Sequence, residues 1–178
     1  MTKIYIAKSQ INGTGVFAGM NVGAGEMVIR IDDTRIVSDE RPLKPGELSQ
    51  HCDYLAEGKV ILMQEPERYI NHCCDPNSYV KTVDGYRYVI ALGEILQGAE
   101  ITNDYCINGY GDYVWYCYCG STNCRKRIIS GFFLLPLEVQ LKYLALLDAW
   151  FVKEHRQEVN NLMKISAMRV EESRQDAS

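Results

Sequence analysis

The chain has 178 residues, 47% of them hydrophobic, with a formal net charge of −4 and a pI near 5.4. That length suits one domain with a real core and a modest appendage, and excludes two large ones. Its one basic run, Arg125-Lys126-Arg127, is too short for a nucleic-acid binder driven by phosphate neutralisation, so no direct nucleic-acid partner is expected and a basic partner suits the acidic chain better.

Residues 1–16 intersperse Lys3, Lys8, Asn12 and Gly13 among apolar residues and so lack the continuous apolar stretch of a signal peptide. The expected location is intracellular, with cytoplasm and nucleus indistinguishable. Short apolar runs punctuated by glycine at 3–7, 15–18, 27–31, 60–63, 86–92 and 100–102 predict short strands. The loop at 21–26 is a turn signal, and Asp84-Gly85 is placed as a hairpin turn between 78–83 and 86–90. Two-thirds of the chain is therefore expected to be mostly β.

After Pro136 the period changes, with Leu137, Leu141, Leu144, Leu147 and Phe151 recurring at three- and four-residue steps. This predicts an amphipathic helix with Pro136 at its start. Val159, Leu162, Met163 and Met168 predict a second helix over 153–172, before a frayed tail at 174–178. The apolar stretch 132–152 is interrupted by Pro136, Glu138, Lys142 and Asp148, so neither a transmembrane helix nor a membrane partner is expected. The plain reading of the stripe is packing back on the core. The sharper one is a homodimer through the C-terminal helix, with Leu144 and Leu147 in the contact.

Four local signals carry chemistry. Gly13-Thr14-Gly15-Val16-Phe17-Ala18 places two glycines where main-chain amides can approach a ligand, although a tight turn between strands explains it alone. Arg68-Tyr69-Ile70-Asn71-His72-Cys73-Cys74-Asp75-Pro76-Asn77 packs an amide, an imidazole and two thiols beside a proline-fixed turn, where a lone His72 would be structural. Gly98-Ala99-Glu100-Ile101-Thr102-Asn103-Asp104-Tyr105 ends a strand on an acid and a phenol, an arrangement that by itself is usually packing. Cys117-Tyr118-Cys119-Gly120-Ser121-Thr122-Asn123-Cys124 holds three of the seven cysteines. Intracellular thiols stay reduced, so metal binding outranks a disulfide framework, and three thiolates need a fourth ligand to close a zinc site. Cys73 or Cys74 could supply it.

In this order the four pieces resemble the SET-domain protein-lysine methyltransferases. The stretch 68–77 is similar to the family's Asn-His-Ser-Cys-x-Pro-Asn element with Cys73 in place of serine, 100–105 resembles Glu-Leu-Thr-x-Asp-Tyr, and 117–125 resembles the Cys-x-Cys and Cys-Arg pattern of the post-SET segment. The resemblance implies a mainly β, β-rich α+β fold of small sheets with a C-terminal pseudoknot, followed by a helical extension. It divides the chain into a SET domain at 1–107 with a variable insert at about 33–67, a zinc segment at 108–128 and an extension at 129–178. It further implies S-adenosylmethionine as methyl donor, S-adenosylhomocysteine as product, and Tyr105 as the catalytic hydroxyl. Gly13, Thr14, Gly15, Val16, Tyr54, Arg68, Asn71, His72 and Tyr105 are the expected cofactor contacts, and Cys74, Cys117, Cys119 and Cys124 the expected ligands of a structural zinc ion. Cys73, Cys52 and Cys106 are left as spare or buried thiols. The partner is a lysine-bearing, histone-like protein.

Two departures stand out. Family members often carry Phe or Tyr two residues before the catalytic tyrosine, where this chain has Asn103, which leaves the degree of methylation open. The tyrosine common after the early Gly-Glu pair is also missing, so part of the lysine channel must come from Tyr86, Tyr88 or Trp115. These departures keep an alternative in view, a catalytically silent SET fold that binds a peptide.

Overall fold

The computed structural model describes residues 2–175. Strands of two to six residues alternate with tight turns, so no sheet grows beyond four strands among the described residues. β1 (Ile4–Lys8) returns antiparallel as β2 (Thr14–Ala18), with Ile4 opposite Ala18 and Lys8 opposite Thr14. The turn between them requires Gly13, whose φ of +47° lies in the left-handed region that side chains disfavour. The same sheet takes up two later segments. β10 (Glu100–Asn103) pairs antiparallel with β2, and β7 (Asn71–His72) pairs parallel with β10, giving the order β1-β2-β10-β7.

A second sheet orders β3 (Met27–Arg30), β9 (Tyr86–Ala91) and β8 (Ser78–Val83). The expected hairpin turn lies at Asp84 and Gly85, both with positive φ, as a two-residue turn between right-twisted strands demands. Val16, Val22, Val89, Ile95 and Ile101 are fully buried where these two sheets meet and form the first core. The insert makes a third sheet, β4 (Ile36–Val37), β6 (Val60–Leu62) and β5 (Cys52–Tyr54), in the order β4-β6-β5. Arg87 of β9 is buried and fixes the insert by pairing its guanidinium with Asp33 (2.6 Å) and Asp53.

β11 (Val114–Tyr116) and β12 (Arg127–Ile129) form a separate antiparallel pair whose connecting loop is the cysteine-rich stretch. Beyond it the structure differs from the sequence expectation. The stripe beginning at Leu137 is not one helix: α1 (Leu137–Tyr143) passes into a single 3₁₀ turn, the chain breaks at Leu147 and Asp148, and α2 (Ala149–Glu154) starts afresh. Tertiary partners on β8 cause the break. Lys81 Nζ donates to the carbonyls of Ala145 and Leu147, and Asp148 Oδ2 accepts from the main-chain N–H and hydroxyl of Thr82 at 2.8 and 2.7 Å. Groups that a continuous helix would pair internally are satisfied by the sheet instead.

The second helix forms as expected but longer. α3 (Arg156–Gln175) extends through Arg174, where a frayed tail was expected; residues 176–178 of that tail lie outside the described residues. Tyr143, Phe151, Val159 and Leu162 from the three helices, with Leu147 from the break, close over Cys74, Cys106, Cys117, Ile128 and Phe132 as a second core. Of the stripe, Leu147 and Phe151 are buried in this core and Leu141 and Leu144 pack half-buried against it, while Leu137 is exposed; Leu147, placed at a dimer contact by the sharper reading, thus lies inside the chain. Among the described residues no helix is long and apolar enough to cross a membrane.

Candidate active site

The glycine motif is held from below. Asn71 Nδ2 donates to the carbonyls of Asn12 (3.1 Å) and Thr14 (3.0 Å) and to Glu100 Oε1 (2.8 Å), and the Ser9 hydroxyl lies 2.8 Å from the same carboxylate oxygen. Gly15 sits directly over this network: a Cβ there would lie 2.4 Å from Glu100 Oε1. Gly13, by contrast, faces open space, with nothing within 4 Å of where a Cβ would be. Val16 is fully buried in the first core and anchors the motif.

The parallel pairing of β7 with β10 brings Asn71 and His72 beside Thr102 and Asn103, so Tyr105 emerges next to the His72 ring, with centroids 5.2 Å apart. Half of Tyr105 is exposed (49%), but its hydroxyl points inward and donates to the Ile70 carbonyl at 2.6 Å. Burial of that hydroxyl, with the negative charge of Glu100 adding, pushes its pKa up to about 12. Trp115 of β11 packs edge-on to His72 at 5.5 Å and lies 6.3 Å from the Tyr105 ring, with Tyr113 stacked on its other side. Of the three aromatics expected to complete the channel wall, Trp115 is the one with ring contacts to Tyr105 and His72. Tyr86 instead lies under the Arg30 guanidinium.

His72 is buried, which holds its pKa down at about 4, with Arg125 adding to the effect and Asp104 opposing it. The imidazole is therefore neutral near pH 7. Its Nδ1 accepts the Tyr105 main-chain N–H (3.2 Å) and its Nε2 lies 3.4 Å from Cys74 Sγ. Asp104, next to Tyr105, has no side-chain exposure and accepts both terminal nitrogens of Arg125 at 2.7 and 2.9 Å, a bidentate pair. Asn103 is tied down as well, its Oδ1 accepting the Ser78 hydroxyl at 2.6 Å.

Cys74, Cys117, Cys119 and Cys124 come together with all four sulfurs within 4.8 Å of one another. Cys74 and Cys117 are 3.8 Å apart. Four sulfurs at the usual zinc–sulfur distance on a tetrahedron are separated by about 3.8 Å, so the donor set and spacing fit a closed zinc site. Burial pushes the Cys74 and Cys117 thiols up, whereas Cys119 is drawn down despite its burial by the main-chain N–H groups of Cys74 and Ser121 and by the neighbouring thiols. A bound cation would balance the charge of four thiolates packed this closely. Of the two residues left open as fourth ligand, Cys74 is the one whose sulfur joins the other three, while Cys73 Sγ donates to the Asp75 carbonyl (3.3 Å). Cys106 is fully buried and donates to the Ile129 carbonyl, while Cys52 lies on β5.

Two expected cofactor contacts lie apart from this hydrogen-bonded set. Arg68 pairs with Glu65 and Tyr69 on the 3₁₀ turn (Glu67–Tyr69) that packs against β2, and its Nε is buried with no partner. Tyr54 is exposed on the outer strand of the insert sheet. Gly13 leaves the glycine motif with an open face, and the Arg68 Nε is a buried donor without a partner on the turn that packs against β2. The anchors that motif reading missed are Ser9, Ile70 and Arg125. Ser9 and Ile70 act through a hydroxyl or a main-chain group with no spacing signal, whereas Arg125 was legible as the residue following Cys124.

A SET-domain family model matches residues 13–106. Trithorax of Drosophila melanogaster, a histone-lysine N-methyltransferase, is 35% identical over 135 residues, which is 69% of this chain and 4% of that protein. The H3 lysine-4-specific histone-lysine N-methyltransferase of Saccharomyces cerevisiae is 33% identical over 68% of this chain and 13% of its own length. The chain thus spans a small part of each of these relatives. A crystal structure of a candidate histone methyltransferase from Plasmodium falciparum, 26% identical, matches with a TM-score of 0.48 over 59% of this chain and 94% of its own.

Proposed function

The chain belongs to the SET-domain family, and from that premise we propose that it is an S-adenosylmethionine-dependent protein-lysine N-methyltransferase acting on a basic, histone-like protein. The observation that carries this reading is the Tyr105 hydroxyl, whose proton is committed to the Ile70 carbonyl, leaving the oxygen lone pairs free to accept. Gly13, Thr14, Gly15 and Val16 would hold the cofactor with Asn71 beneath them, His72 next to it on β7 and the unpartnered Arg68 Nε at its carboxylate; Tyr54 would reach it from the insert. When bound, the cofactor supplies a sulfonium methyl group.

The chain's residues then have three tasks. The target lysine must first lose its proton, which from a pKa near 10.4 costs roughly 4 kcal/mol at neutral pH. An aromatic wall of Tyr105 and Trp115 lowers that cost by stripping water from the charged amine. Tyr105 then orients the amine through its hydroxyl oxygen, and with a pKa near 12 it remains protonated throughout, a positioning and electrostatic role rather than that of a base. Cys74, Cys117, Cys119 and Cys124 would hold zinc as a closed, structural site.

In the proposed division into a SET domain with insert, a cysteine segment and a helical extension, the first core lies wholly in the SET domain, whereas the second joins Cys74 and Cys106 of that domain to the other two segments. A histone-like substrate is supported by the names of the relatives and by the charge of −4. The test is transfer of labelled methyl from S-adenosylmethionine to histones and to a total lysate, beside Tyr105→Phe. Label on lysine that falls about 100-fold or more in the variant is expected. Cofactor binding without transfer to any protein would replace this reading with that of a silent peptide-binding module.

A further inference from the structure

Both nitrogens of the His72 ring are engaged, and neither faces the glycine motif. A neutral imidazole carries one N–H. Because the Tyr105 main chain donates to Nδ1, the proton resides on Nε2 and points at Cys74 Sγ, 3.4 Å away. Asp104 Oδ1, at 3.6 Å from Nδ1, is beyond hydrogen-bond distance, which agrees with an unprotonated Nδ1. The same sulfur receives a second donor, the main-chain N–H of Arg125 at 3.4 Å, while the Arg125 guanidinium grips Asp104. Two routes therefore run from the Cys74 sulfur to the residues flanking Tyr105.

We propose that His72 is a positioning residue whose Nε2-protonated ring bridges Cys74 Sγ to the Tyr105 amide, so that metal occupancy of the cysteine cluster sets where Tyr105 stands. This rests on the zinc reading of the cluster given above. A thiolate held by a divalent cation is a charged acceptor, and the N–H bonds it receives are correspondingly firm. The metal would fix that sulfur among the other three; once it leaves, the acceptor facing the His72 Nε2 is no longer held in place, and the ring that supports the Tyr105 main chain loses its anchor.

The experiment loads the full chain with cadmium-113 and labels its histidines with nitrogen-15. The expected spectrum has His72 protonated at Nε2 and a scalar coupling between that proton and the cadmium across the hydrogen bond. His72→Phe keeps a ring against Trp115 but removes the bridge. It is expected to weaken metal binding about tenfold, to speed hydrogen exchange at the Tyr105 amide, and to lower kcat with little change in KM for the cofactor. His72→Gln, which retains a donor, should recover part of the metal affinity. A His72 protonated at Nδ1, or a metal-loaded chain without the coupling, overturns the proposal, and the spectrum of the unsubstituted chain decides this even where the Phe variant does not fold. Failure to bind cadmium also overturns it, yet methyl transfer by the metal-free chain would leave the methyltransferase reading standing. Coupling in a chain that transfers no methyl would do the reverse.

Discussion

Tyr105 combines exposure of its ring with burial of its hydroxyl, and that sets a pH dependence. Its pKa is raised from the ordinary tyrosine value near 10 to about 12, so the folded chain holds the proton more firmly than the unfolded one. The stability gained this way is fully present below pH 10 and is lost as pH rises from 10 toward 12. Activity should therefore climb from pH 7 to pH 10 as the target lysine loses its proton, with no downturn from Tyr105 inside that window. The check is kcat/KM for the proposed methyl transfer against pH with the unsubstituted chain. A fall setting in below pH 10 while the fold is intact would contradict a protonated, positioning tyrosine. At this scale the sequence singled out side chains by type and spacing but not which way they face. Asn71 and His72 were legible as a pair, yet Asn71 braces the glycine turn and His72 turns to the cysteines, a difference that arises from their alternation along one two-residue strand.

At the scale of elements, β1, β2, β3, β6, β8, β9 and β10 were legible because glycine and turn residues bound short apolar runs. β7 was not, since two residues carry no period and its parallel partner lies 31 residues away. The break before α2 was also hidden, because helical spacing continues through Leu144, Leu147 and Phe151 while the deciding partners sit on β8. Asp148 is the hinge of that break. It is 1% exposed and accepts twice from Thr82, so Asp148→Ala should cost about 1–3 kcal/mol by leaving the half-buried Thr82 main-chain N–H unpaired. Asp148→Asn retains an acceptor and should cost under about 1 kcal/mol. Urea unfolding of both variants measures the difference, and equal losses would show that Asp148 acts through its charge rather than as an acceptor for Thr82. The same burial changes what a polar residue at Leu147 would do. It would open the second core, at about 2–5 kcal/mol for loss of a buried leucine, whatever the oligomeric state.

Across the whole molecule, the two cores depend on the cysteine cluster to different degrees. Val16, Val89 and Ile101 of the first core are held by sheet pairing, whereas Cys74 and Cys117 are themselves members of the second. Cys74 belongs to the turn after β7 and the other three sulfurs to the loop between β11 and β12, so a metal ion there would join segments 43 residues apart. A cross-link closing a loop of that length restricts the unfolded chain by roughly 4 kcal/mol. Removing the metal with a chelator should therefore destabilise the chain by about that amount, and unevenly. Amides from β11 through α2, with Tyr105 among their neighbours, should exchange faster, while those of β2, β8 and β9 stay protected, as expected of a cooperative unit that opens separately. Hydrogen–deuterium exchange read by mass spectrometry, with and without chelator, separates the outcomes. A uniform rise across both cores would mean that they unfold as one. An unchanged pattern in a chain shown to have lost its metal would mean that packing of Phe132, Tyr143 and Phe151 holds the C-terminal segment against Tyr105 without it.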